Sequence, residues 1–136
     1  MRRREILLAS AASPALLWSR RAWAGSYLNR AALLLDGART DRAMAMPRGR
    51  DRELMRVVHE VAAARVTVAT TMDVPKVVAG AHPHMLLTLE NCERGYAAAL
   101  ERQLNKFSEH LLRAKAEDRI FRQLVESLGY TMPPTR

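Results

Sequence analysis

The side chains of this chain best suited to chemistry are four histidines, seven methionines and one cysteine. His82 and His84 flank Pro83, and Met44 and Met46 form an M-x-M pair. His59 is aligned at helical spacing with Met55, Ala63 and Val66, beside an apolar stripe, while His110 stands apart. Neutral imidazoles and thioethers are ordinary ligands for copper or zinc. His59, His82, His84, Met44 and Met46 therefore form the candidate metal set. Their spacing argues against a preformed site: no histidine pair is four residues apart, and His82 and His84 meet one ion only if Pro83 bends them together. There is no Glu-x-x-His, which a ferritin-like di-iron site needs, and no Cys-x-x-Cys-His for covalent haem. The sequence requires no cofactor.

A second feature is charge set into apolar stripes. Arg65 falls between Val61 and Val68, and Asp118 between Ala114 and Phe121. If the helices that carry them run parallel in a bundle, the two sit within a few ångströms of the same height at about 1.5 Å per residue. An Arg65–Asp118 pair is expected, with Asn91 or Glu90 in the same layer. Desolvation of a buried pair offsets much of its Coulomb gain, so its first role is to fix helix register. Its functional role would be an anion- or ligand-binding layer inside the bundle.

Cys92 lies on an apolar stripe and reads as a small buried residue. Glycine-rich phosphate loops and the G-x-S-x-G elbow are absent, and beyond residue 25 serine occurs only at 26, 108 and 127. An enzyme is the poorer reading. The densest run of reactive groups is His82 to Glu93, HPHMLLTLENCE.

The net charge is +8, but residues 1–24 hold five arginines and one glutamate, so the remainder carries +4. Its charges alternate in sign, the mark of a solvated surface, which argues against a nucleic-acid partner. A lone cysteine permits an oxidising compartment without the fold depending on it.

Residues 1–24 read MRRREILLASAASPALLWSRRAWA. A positive start (Arg2 to Arg4) leads into an apolar stretch from Ile6 to Trp18, too short for a spanning helix of about 20 residues. Ala22-Trp23-Ala24 is an A-x-A pattern that a signal peptidase could cut before Gly25. Arg3-Arg4-Glu5-Ile6-Leu7 resembles the core of twin-arginine signal peptides, and the late pair Arg20-Arg21 resembles that class too. The segment departs from the fullest motif, with Met1-Arg2 where Ser or Thr is common and Leu8 where Lys is common. The resemblance implies folding before export to the periplasm, and passengers that carry a cofactor or travel with a partner that does.

The chain beyond it reads as helices. The spacing predicts a first helix from Ser26 to Met46, with Tyr27, Ala31, Leu34 and Ala38 inward. Pro47 and Gly49 break it, and Asp51 is the N-cap of a second helix, Arg52 to Met72. The inward stripe of the second is Leu54, Val58, Val61, Val68 and Met72, flanked by Val57 and Ala64. A third helix from Pro83 to Arg102 turns Met85, Leu89, Cys92, Tyr96 and Ala99 inward. After a weak break at Asn105 and Lys106, a fourth runs to Leu128, with Phe107, Leu111, Ala114, Phe121, Val125 and Leu128 inward and Gly129 as C-cap. One continuous helix over 83–128 is the alternative.

The expected architecture is all-α: a signal peptide over residues 1–24, then an antiparallel up-down four-helix bundle over 25–136. The expected function is that of an exported, non-enzymatic bundle of the cell envelope that binds a protein partner or small ligand. It would have no membrane span after cleavage, and a homo-oligomer is compatible with it. The alternatives are a periplasmic copper or zinc protein and an accessory subunit of an exported redox enzyme.

Overall fold

The computed structural model describes the backbone of residues 2–134 and the side chains of residues 23–134. Four helices follow one another: α1 (Arg2–Ala45), α2 (Arg52–Thr71), α3 (His82–Leu100) and α4 (Leu104–Ser127). Short 3-10 turns at Met46–Arg48 and Lys76–Val78 lie before α2 and α3. Apart from Trp23 and Ala24, the side chains expected to form a signal peptide lie outside the described residues. Helix α1 is continuous across Ser26, where the first helix was expected to begin.

Contacts between the helices fix their directions. Tyr27 of α1 and the Ala69 carbonyl of α2 meet at His82, while Asp41 further along α1 meets Arg65 earlier on α2, so α1 and α2 run antiparallel. Arg52, opening α2, donates to the Leu100 carbonyl that closes α3, so α2 and α3 run antiparallel. His84 meets Glu117 while Asn91 meets His110, which reverses direction again between α3 and α4. Asp36–Arg122 and Arg39–Asp118 do the same for α1 and α4. The fold is therefore an all-α, antiparallel up-down bundle, with α1 and α3 each flanked by α2 and α4.

Local chemistry explains the helix boundaries. Asp51 caps α2 by accepting the Leu54 amide at 3.1 Å, one of the donors that the first turn leaves orphaned. Helices α3 and α4 both close with a residue in the left-handed region, Arg102 (φ 63) and Gly129 (φ 88). In α3, Gln103 N–H returns to the Ala98 carbonyl and Arg102 N–H to Ala99; in α4, Tyr130 returns to Val125 and Gly129 to Glu126. Both are Schellman closures, made without Cβ strain by glycine and against it by arginine. The helix break thus falls at residues 101–103 and not at Asn105 and Lys106, because α3 ends where its own carbonyls can be satisfied. Separate helices, not one over 83–128, are the result.

The core faces of α3 and α4 are as expected over Met85, Leu89, Cys92, Tyr96 and Ala99, and over Phe107, Leu111, Ala114, Phe121 and Val125. Leu128 instead is 51% exposed, because it lies past the last turn as the cap residue. Helix α2 needs the larger correction. It buries Met55, Val58, Ala62 and Ala69, while Val57, Val61 and Val68 remain exposed. The helix carries two apolar rows rotated by roughly a third of a turn at 100° per residue, and the one that faces inward sets Met55 and Val58 beside the small Ala62 and Ala69. Ala62 and Ala69 are buried in the same core as Ala31 and Ala38 of α1, and such small side chains let helices approach more closely than valines would.

Candidate functional site

The inward face of α1 runs through Tyr27, Ala31, Ala38 and Ala45, and at the same spacing it contains Arg42. Asp118 occupies the matching place on α4, between Ala114 and Phe121. Both are buried, at 7% and 2% exposed. An isolated buried charge is costly, so the arrangement depends on how many partners each finds.

Asp118 Oδ1 accepts from Arg122 Nε at 2.7 Å. Its Oδ2 accepts from Arg39 Nη2 at 3.3 Å and Arg42 Nη2 at 3.4 Å. Arg122 uses its other arm on Asp36 Oδ1 at 3.0 Å, and Arg42 Nη1 points to Cys92 Sγ at 3.8 Å. Burial works against the Arg122 charge, but its bonds and attraction to Asp118 and Asp36 outweigh that and hold the guanidinium above its ordinary value. Burial likewise pushes the Cys92 thiol up, with Arg42 opposing, and Cys92 sits 2% exposed in the core.

Outside this cluster a cleft of about 780 Å³ opens between α1 and α4, within the roughly 300–1,000 Å³ usual for ligand sites. Its antiparallel walls stack three tiers. Continuing the antiparallel register set by Asp36–Arg122 and Arg39–Asp118 brings Arg39 level with Arg119 and Arg122 near the buried Asp118, Ala43 level with Lys115, and Met46 level with Leu111 and Leu112. Five cations and one carboxylate line it. Among the described residues, neither Lys115 nor Arg119 has a carboxylate within ion-pair distance. The walls can hold a negative group against cations whose internal counter-ion is already shared three ways.

The sequence-predicted residues divide among several places. Arg65 does not pair with Asp118: Arg65 Nη1 donates to Asp41 Oδ2 at 2.7 Å. Its guanidinium lies over Gly37, where a Cβ would come within 2.7 Å of Nη2, so the missing side chain opens the path toward Asp41. Asp118 is reached first from the adjacent α1 and from its own helix, since α2 and α4 stand diagonally across the bundle. Asn91 is buried, donating to the Leu87 carbonyl and accepting from His110 Nδ1 at 3.0 Å. It joins neither Arg65 nor Asp118, and Glu90 instead pairs with Arg94 at 3.8 Å.

The histidines also go to separate partners. His82 Nε2 donates to the Ala69 carbonyl at 3.1 Å, which leaves Nδ1 to accept the Tyr27 hydroxyl at 2.7 Å. Burial holds the His82 imidazole below its ordinary value, only partly offset by the Ala69 bond, and lifts the Tyr27 phenol. His84 turns the other way and donates from Nδ1 to Glu117 Oε2 at 2.6 Å. His59 is half-buried on α2, and Met44 and Met46 are exposed at 40% and 38%. Among the described residues no group of three or more His, Cys, Asp or Glu side chains is placed to hold a metal ion.

Sequence reasoning missed Arg39, Arg42, Lys115, Arg119 and Arg122. Arg42 was accessible by the rule that found Asp118, since it follows Ala38 by four and precedes Ala45 by three. The others become a site only once α1 and α4 are known to be neighbours. No protein-family model, curated protein or solved structure matches this chain.

Proposed function

We propose that this chain is an exported, non-catalytic helical bundle that binds a small anionic ligand between α1 and α4. The observation that carries the reading is the surplus of cations in the cleft: five line it, while Asp118 answers three of them and Asp36 gives Arg122 a second partner, which leaves Lys115 and Arg119 without an ion pair among the described residues. Folding alone does not ask for Lys115 and Arg119 there, since neither closes an ion pair. Charge-assisted hydrogen bonds from guanidinium groups are strong and directional toward carboxylate or phosphate. The export half of the reading rests on Arg3-Arg4-Glu5-Ile6-Leu7 and Ala22-Trp23-Ala24.

Titration with inorganic phosphate and with simple carboxylates, followed by amide chemical shifts, tests the binding half. Shifts confined to residues 39–46 and 111–123, reduced in Arg119→Ala, are expected; shifts scattered over all exposed arginines sink it. For export, the N-terminus of protein recovered from the periplasm should be Gly25, and Arg3→Lys with Arg4→Lys should leave the precursor inside the cell. A periplasmic protein that keeps Met1 rules out cleavage.

A further inference from the structure

The cleft is not uniformly basic. At its residue-39 end stand Arg39, Arg119 and Arg122, Lys115 comes next beside Ala43, and seven residues along α1 from Arg39 the register puts Met46 level with Leu111 and Leu112. Leu112 is 59% exposed and Met46 38%, over a floor made by the fully buried Leu111. At about 1.5 Å per residue, Leu111 to Gln123 gives the cleft a length of about 18 Å along α4. A small inorganic anion would use one end of it and leave the apolar end wet.

We infer that the ligand is a single-chain amphipathic anion, its acidic head on Arg39 and Arg119 and its hydrocarbon tail over Ala43, Met46 and Leu112. This rests on the cleft being a binding site at all. The head is a carboxylate or an acidic ester, because guanidiniums from two facing helices present paired donors to planar or tetrahedral oxygens alike. The tail follows from the apolar end, where each buried methylene raises affinity by up to about fourfold. Among the described residues no aromatic side chain lines the cleft, which disfavours a nucleobase or sugar ring that would stack on one.

Calorimetric titration of the full-length chain with hexanoate, octanoate and decanoate, below their micelle concentrations, tests this directly. Affinity should climb with chain length by up to about fourfold per methylene. It should fall in the exposed Arg119→Ala and by at least tenfold in Arg39→Ala/Arg119→Ala, with circular dichroism checking the fold of the double variant because Arg39 also donates to the buried Asp118. Leu112→Asn should weaken decanoate while leaving inorganic phosphate unchanged. Phosphate binding as tightly as decanoate, with no chain-length dependence, would overturn the tail and leave the anion site standing. Equal binding of decyltrimethylammonium would overturn the head. Binding only to phosphatidylglycerol vesicles, and not to monomeric decanoate, would replace a cleft ligand with a membrane surface. No binding of any anion would remove both the inference and the reading beneath it.

Discussion

Two polar places in the bundle are of opposite design. At one end Tyr27, His82 and the Ala69 carbonyl form a closed chain, in which the hydroxyl and both ring nitrogens each find one partner. Between α1 and α4, Asp118 has three guanidinium partners and two further cations line the cleft without a counter-ion. The closed chain leaves nothing for a ligand to supply. The cleft leaves positive charge that only a ligand or solvent can answer. Burial alone does not separate structural from functional polarity, since His82 and Asp118 are both buried; the balance of partners does.

The comparison is broken most forcefully at Asp118. Asp118→Asn keeps the shape and removes the charge that compensates buried Arg42, so a loss of about 3–5 kcal/mol is expected in urea unfolding. Phosphate should restore part of that loss, raising the urea midpoint of the variant more than that of the parent, because an anion held in the adjoining cleft offsets positive charge that Asp118 no longer compensates. A destabilised variant indifferent to phosphate would show that Asp118 answers only internal partners.

The closed corner should respond to single-atom changes and to pH. Tyr27→Phe leaves His82 Nδ1 without its donor in a buried site, at a cost of about 1–3 kcal/mol. His82 titrates below its ordinary value near 6.5 in the folded state, so the unfolded chain binds more protons as the medium acidifies. Its contribution is therefore complete above pH 6.5 and is lost as pH falls through the folded value. Urea midpoints at pH 7.5 and 5.5 should differ more in the parent than in His82→Gln. Equal differences would assign the acid sensitivity to other groups, His110 first, which burial and nearby Arg113 and Arg94 also hold low.

The same contrast explains what could be read from the sequence. The four helices, the Asp51 cap and the core faces of α3 and α4 follow from local rules of spacing and capping. The inward face of α2 does not, because Val57, Val61, Ala64 and Val68 repeat as regularly as Met55, Val58, Ala62 and Ala69. Which row turns inward is decided by packing against the neighbouring helices, with Ala62 and Ala69 buried in one core with the alanines of α1. Asp118 is legible as a charge within an apolar row, and so is Arg42. Their pairing is not, because it depends on which helices are neighbours and which stand on the diagonal. Arg65 was assigned across that diagonal, while Asp41 lay nearer on the adjacent helix.

The smallest expected effect is the most discriminating. Arg119 is exposed, closes no ion pair among the described residues and lines the same cleft as Arg39. If its charge belongs to ligand binding and not to the fold, Arg119→Ala should change stability by no more than about half a kcal/mol. The sign should favour the variant at low ionic strength, where relief of repulsion from Arg39, Lys115 and Arg122 is unscreened, and the gain should fade as salt shortens the screening length. Urea midpoints at two salt concentrations measure this directly. A loss beyond about 1 kcal/mol would place Arg119 among the satisfied groups, like His82, and the cleft would then be a second closed network rather than an open one.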